Sequence, residues 1–524
     1  MENRDTAVAW NYHNSTKHSY QNIRTNPHYL DWEIQPLPFK IYSDLDPIPL
    51  EQRLTPSAMP ALEAVSLTAG EPEASGQPTR QSLAELFFLS AGITKRRQYA
   101  GGEILFRAAA CTGALYHIDL YLVCGDLTDL EAGVYHFSPH DFALRRLRPG
   151  DYRGVVVEAS GSEPAVAATP AILISVSTFW RNAWKYQSRA YRHCYWDNGT
   201  ILANLLAAAR ARRIYAKIVL GFVDAAVSRL LGLDTQREAP LSLIALGPPR
   251  TEGALPAANV ESVTFSTVPL SKREIEYPAM RAMHEASALE SGEEVRVWRP
   301  HENSALYPEK EKGSDKGEGS GREFFALAPL KDDELARETI EEVILRRGST
   351  RQFLRQAITF AQLSTILDRT TRGITADFVR PGSDLNDLYL IVNAVEGLPA
   401  GAYFYNRVKL GLELLKAGDF RKEAGYLGLG QAIPADCSIN IYFLTDLNHI
   451  LQTYGNRGYR VAQLDASIMG GKVYLAAYAQ RLGASGLTFF DDDVVEFFSP
   501  HAAGRSVMFL VAVGRSAQRP RSGS

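Results

Sequence analysis

The chain has 524 residues, of which 45% are apolar, 22% charged and 10% aromatic, with 56 Lys+Arg against 59 Asp+Glu and a formal charge of -3. This is the composition of a folded protein with room for several domains, and it excludes a fibrous or wholly disordered chain. The near-neutral balance offers no basic field for nucleic acid, and four scattered cysteines without a CxxC pair (Cys111, Cys124, Cys194, Cys437) fit a reducing compartment better than a disulfide framework or a zinc ribbon.

In chain order, Met1 to Tyr20 is polar and no run approaches 18 uninterrupted apolar residues, so a cytoplasmic protein is expected. Residues 1–80, rich in Pro, Tyr and Trp, are expected to form an extension wrapping the first domain. Arg107-Ala-Ala-Ala-Cys111-Thr112-Gly113-Ala-Leu115-Tyr116 is a small-residue loop whose backbone N–H groups can approach a flat ligand. Apolar, β-branched runs at 171–176 and 241–244 read as buried strands, with a helix over Ile201 to Arg213 between them. Trp184-Lys185-Tyr186-Gln-Ser-Arg189-Ala-Tyr191-Arg192 sets a Lys beside a Tyr, which would lower the phenol's pKa and ready it for proton transfer. Arg189 and Arg192 read equally well as structural or catalytic, and His193-Cys194 reads as packing rather than a metal site.

The mixed-sign run within 291–322 buries too little apolar surface to fold and reads as a linker. Beyond it, Arg346-Arg347-Gly-Ser349-Thr-Arg351-Gln-Phe353 gathers three guanidiniums and a hydroxyl, either a monophosphate clamp or a solvated basic turn. Strands are expected at 438–443 and 507–513. Between them Leu464, Ile468, Gly471, Leu475, Tyr478 and Leu482 mark a helix that stops at Gly483.

Sliding the chain against itself reveals a repeat at an offset of 268 residues. Asp119-Leu-Tyr-Leu-Val matches Asp387-Leu-Tyr-Leu-Ile, Gly150-Asp-Tyr-Arg153 matches Gly418-Asp-Phe-Arg421, and Tyr186-x-x-Arg-x-Tyr-Arg192 matches Tyr454-x-x-Arg-x-Tyr-Arg460. Asp197 then pairs with Asp465, and Asp224 with Asp492. Two copies of one α+β domain follow, at 81–250 and 323–524, joined by a partly disordered linker at 251–322, and residues 1–80 have no counterpart. The copies differ where a ligand would sit. The loop from Arg107 to Asp119 loses five residues in its counterpart, Arg380 to Asp387, while no Arg-Arg-x-Ser-x-Arg cluster precedes the first copy's loop. GxGxxG, GxxxxGK[ST], HExxH and GxSxG are all absent, which removes Rossmann, P-loop, zincin and serine-hydrolase readings.

On Arg347-x-Ser349-x-Arg351-x-Phe353, the Arg107–Tyr116 loop and Lys185-Tyr186-x-x-Arg189, the chain resembles the nitroreductase superfamily, and within it the tandem SagB-type azoline dehydrogenases. The resemblance implies two fused nitroreductase-like, FMN-binding domains forming an intramolecular pseudo-dimer. It further implies one FMN per chain, held by Arg346, Arg347, Ser349 and Arg351 of copy two, by Arg107, Cys111, Thr112, Gly113 and Leu115 of copy one, and by Gly483, Ser485 and Gly486 near the flavin's reactive edge. Lys185 and Tyr186 are then the catalytic pair, Tyr186 taking the ring proton while hydride passes to flavin N5. The expected substrate is a thiazoline or oxazoline in a peptide, with a cyclodehydratase-type partner. The alternatives are an NAD(P)H-dependent flavin nitro or quinone reductase and a non-catalytic flavin- or peptide-binding partner.

Overall fold

Each copy builds its sheet from apolar runs buried on both faces, as in Ala171–Thr178 and Ile439–Thr445, so neither shows the alternation of a half-exposed strand. The computed structural model describes residues 2–66, 75–99, 102–248, 256–300, 322–379 and 385–517. The first sheet runs Pro47–Pro49, Ala143–Pro149, Gly133–Ser138, Ile118–Cys124, Ala171–Thr178, Glu238–Leu246, Ala216–Val219, antiparallel throughout. The second repeats that order: Phe324–Ala326, Gly411–Ala417, Gly401–Asn406, Asp387–Val392, Ile439–Thr445, Ser506–Ser516. Gly483–Gly486 and Phe353–Leu354 also pair with this last strand. The fold is thus α+β, with two fused domains of one topology.

The repeat offset is 268 through the two long helices, Ala190–Ala211 and Arg457–Ala479, and falls to 267 after them, where Ala216 and Gly483 open equivalent strands. This corrects one pairing. The counterpart of Asp224 is Asp491, not Asp492, which lies on the surface bound to Lys17.

The long helices pack against each other at the centre of the molecule, brought close by small residues. A Cβ added to Gly471 would lie 2.6 Å from the Cβ of Ala203. Reciprocal buried ion clusters fasten the copies beside them. Arg189 and Arg192 reach Asp491 at 3.0 and 2.6 Å, and Arg457 and Arg460 reach Asp224 at 2.7 and 2.6 Å. These arginines are therefore structural. Burial alone would raise the Asp224 carboxyl, but Arg457 and Arg460 outweigh it and bring it down to about 2.

The N-terminal extension does not wrap the first copy alone. Asn3 and Ala9 bond to Tyr454 and Asn456 of the second copy, and Tyr12 to Ser188 of the first. Nor does it lack a counterpart. Helix Ala7–Ser15 offers the His13 and Thr16 carbonyls to Arg192 and Arg189, and helix Pro278–Ala286, inside the stretch read as linker, offers the His284 carbonyl to Arg460, with Ser287 serving Arg457. A second helix, Gly292–Trp298, follows. The charged run at 301–321 and Arg380 lie outside the described residues. Among the described residues all four cysteines are free, no His/Cys/Asp/Glu group could hold a metal, and no helix is long and apolar enough to cross a membrane.

Candidate active site

The Arg107–Tyr116 loop doubles back through three left-handed residues, Gly113 (φ 64°), Ala114 (φ 56°) and Tyr116 (φ 47°). Asp197, from the long helix of the same copy, holds it in this shape. One carboxylate oxygen accepts the Thr112 N–H and hydroxyl at 2.9 and 2.7 Å; the other accepts Cys111 Sγ at 3.0 Å and His117 Nε2 at 2.8 Å. Burial, then the Asp197 charge, push the Cys111 thiol well up, so it stays a neutral donor. The Cys111 and Thr112 side chains, expected at the ligand, are therefore turned inward as anchors. What the loop presents is backbone and Gly113, with Leu115 packed half-buried at its side.

The second copy meets this loop through Arg347, whose Nε donates to the Ala108 carbonyl at 2.9 Å and whose Nη2 lies 3.4 Å from the Arg107 carbonyl. Lys95 of the first copy returns the contact, donating to the Arg347 and Arg346 carbonyls at 2.9 and 3.2 Å. Lys95 carries no signal in the sequence, because its segment has no counterpart in the repeat. Two expected clamp members are occupied elsewhere. Arg346 pairs with Glu338 and donates to the Tyr478 carbonyl. Arg107 is buried, its guanidinium 2.5 Å from the Pro38 carbonyl and stacked between Phe39 and Tyr116. Arg351, by contrast, is exposed and makes no ion pair among the described residues.

Beside the clamp runs Gly483–Gly486. The helix expected to stop at Gly483 ends already at Ala479, and Gly483 instead opens the strand, where Thr350 presses so closely that a Cβ would collide with its hydroxyl, which is why the strand must start with glycine. Tyr474 bridges the two segments, accepting the Gly486 N–H and lying 3.5 Å from Ser349 Oγ. Ser485 Oγ and Thr488 Oγ1, both shielded from water, have no hydrogen-bond partner among the described residues.

Tyr186 ends helix Phe179–Tyr186 and points its hydroxyl at Gly113, where an added Cβ would sit 2.8 Å away. That hydroxyl makes no hydrogen bond among the described residues. Its ring stands edge-on to His193 at 4.6 Å, and His193 Nδ1 is held by Asn182 at 2.8 Å. The phenol's pKa is not brought below its ordinary value as expected. The Lys185 ammonium lies over the ring face, 5.5 Å from the centroid, while burial, then Asp197 and Cys111, push the phenol up, with Arg351, across the copy boundary, working the other way. The structure thus brings Tyr186, Gly113, Arg347, Arg351 and Gly483–Gly486 into one region between the copies.

The equivalent region on the other side is filled by the chain itself. Asp377 takes the Leu220 and Gly221 N–H groups at 2.8 and 2.9 Å, and Arg299 pairs with Asp377 at 3.1 Å. Trp298 covers Tyr454, the counterpart of Tyr186, whose hydroxyl is spent on the Phe378 carbonyl at 2.7 Å. His193 and Asn182 are replaced there by Val461 and Ile450. Comparing the copies position by position would have exposed this polar pair in the sequence. Asp377 and Trp298 carry no such signal, since their role comes from packing.

Residues 344–515, most of the second copy, match the nitroreductase family. A protein of Methanocaldococcus jannaschii named "Putative nitroreductase MJ1384" is 23% identical over 169 residues, 32% of this chain and 80% of its own. The crystal structure of "a putative nitroreductase" from Anabaena variabilis is 26% identical and aligns over 97% of this chain and 99% of its own with a TM-score of 0.75. The two-domain, nitroreductase-like architecture is therefore shared with a solved structure along nearly its whole length.

Proposed function

We propose that the chain is an FMN-dependent oxidoreductase with one working site, and that it dehydrogenates azoline rings in a peptide to azoles. The observation that carries this reading is the contrast between the copies: on one side a tyrosine hydroxyl faces a glycine loop, and neither it nor Arg351 nearby has a bonded partner among the described residues, while the counterpart tyrosine is capped and bonded on the other. The residues fit a phosphate-bearing flavin. Among the described residues Arg351 makes no ion pair and Ser485 Oγ, a buried hydroxyl, has no partner; Arg347 is braced by the first copy, and Gly113 and Gly486 carry no side chain to hold a flat ring off.

When bound, the flavin would accept hydride at N5 from the azoline carbon. The chain's part is to hold the ring over Gly113 and to take the proton from the neighbouring atom at Tyr186 Oη, with Lys185 stabilising the charge that develops on the phenol. Thr453 stands at the Lys185 position of the second copy, so the Lys-Tyr pair belongs only to the open side. A second reading, the nicotinamide-dependent reductase, is favoured by the phenol's raised pKa, which keeps Tyr186 a proton donor, and by the similarity to proteins named as nitroreductases.

Flavin released from the purified protein and counted by absorbance tests the site. About one FMN per chain is expected by this geometry, lost in Arg347→Ala with Arg351→Ala and retained in Arg346→Ala, whose guanidinium is committed to Glu338. A count near two would refute the single site. A protein that never binds flavin would end the oxidoreductase reading.

A further inference from the structure

Among the described residues the first copy carries an element that the second lacks. Between helix Arg80–Ala91 and the Arg107–Tyr116 loop, Ile93–Tyr99 and Gly102–Arg107 form an isolated two-stranded ribbon. In the second copy the chain passes from Phe360–Thr370 to the bridge at Ala376 with no strand between. An insertion held by no sheet has to be held by something else, and Lys95, bonded to the Arg346 and Arg347 carbonyls, holds it against the clamp.

The register separates the ribbon's faces. Lys95, Arg97 and Tyr99 stand opposite Phe106, Ile104 and Gly102, so they share one face, whereas Arg96 lies on the other, paired with Glu103. On the Lys95 face the Arg97 guanidinium stacks over Phe106 at 5.5 Å, and Tyr99 and Ile104 are 52% and 45% exposed. Its cations, Lys95, Arg97 and nearby Arg347, stand close enough that burial, then Arg347 and Arg97, depress the Lys95 pKa. Like charges gathered on a partly apolar, exposed face attract an anion, and among the described residues neither outer edge of the ribbon, about 20 Å of strand, pairs with another strand.

We infer that this ribbon is a docking arm for an extended acidic peptide segment with interspersed apolar side chains, which adds as a strand and leads into the Tyr186 site. Three features favour a peptide. The ribbon presents free strand edges, apolar residues alternate with its cations, and it is attached at the mouth of the site. The inference rests on the reading of a peptide substrate given above.

The test is binding without turnover. The FMN-loaded full chain is titrated into a fluorescein-labelled peptide of alternating glutamate and leucine and followed by anisotropy, alongside a lysine–leucine peptide and the variant Arg97→Glu with Tyr99→Ser. Both substituted side chains are exposed, so the fold and flavin content should be unchanged. The acidic peptide is expected to bind at least tenfold more tightly than the basic one, to weaken as salt rises, and to lose at least tenfold in the variant and when alternate peptide nitrogens are methylated. Equal binding by the variant, equal binding of the basic peptide, displacement by NADPH, or a ribbon-dependent dimer of the free chain would each overturn it. A chain that binds the peptide but forms no azole refutes the proposed reaction and leaves the arm standing. One that forms azoles with unchanged KM in the variant refutes the arm and leaves the reaction.

Discussion

Asp491→Asn is expected to cost about 3–5 kcal/mol, the loss typical of breaking a buried ion pair from one side, read as a fall in the midpoint of urea unfolding. Both arginines would be left without a counter-charge among the described residues: Arg192, fully buried, would keep the His13 carbonyl and the Thr16 hydroxyl, and Arg189 the Thr16 carbonyl. Burial by itself would raise the Asp491 carboxyl, but Arg189 and Arg192 hold it well below the usual carboxylate range. A carboxylate with a depressed folded-state pKa contributes stability that is complete above its unfolded value, near 4, and disappears as pH falls through the folded one. The wild type should therefore lose stability steeply below about pH 4, whereas Asp491→Asn, destabilised already at pH 7, should show a shallower acid slope. A variant as stable as wild type would mean that the N-terminal helix and not the ion cluster fastens the copies. The same change at Asp224 should behave alike, because Arg457 and Arg460 surround it in the same way.

Much of this architecture was legible in the sequence, and the reason is duplication. One chain printed twice shows which residues both copies need, such as the Tyr-x-x-Arg-x-Tyr-Arg segment at the ion clusters, and which only one keeps, such as Lys185 and the Arg347 cluster. What stayed hidden depends on direction. Composition places Cys111 and Thr112 in a ligand loop but says nothing of Asp197, one helix away, turning them inward. A Lys next to a Tyr in sequence suggests a lowered pKa, yet a helix carries successive side chains about 100° apart, so the ammonium reaches the ring face and not the hydroxyl. The short helices Ala7–Ser15 and Pro278–Ala286 do the same job with almost no shared residues. Their contribution is mainly backbone carbonyls, which leave little trace in side-chain identity.

Tyr186→Phe is expected to lower turnover by about 10²–10⁴-fold while leaving flavin content unchanged, since the hydroxyl holds nothing in place among the described residues and general acid–base groups contribute on that scale. The pH dependence then decides the direction of the chemistry. Burial, then the Asp197 charge, raise the phenol, so at neutral pH almost all of it is protonated. If Tyr186 must take a proton, the active fraction is the phenolate, and the rate of azoline dehydrogenation should climb about tenfold per pH unit through the neutral range. If it must give one, as in a nicotinamide-dependent reductase, the wild-type rate should be flat across the same range. Lys185→Thr, which installs the residue of the second copy, sharpens the comparison. Removing a cation from the ring face disfavours the phenolate, so the dehydrogenase rate should fall and its rise with pH should move to higher pH, while a reductase that uses the neutral phenol should be little affected. A flat wild-type profile that Lys185→Thr does not change would therefore count against azoline oxidation and in favour of reduction at the same single site.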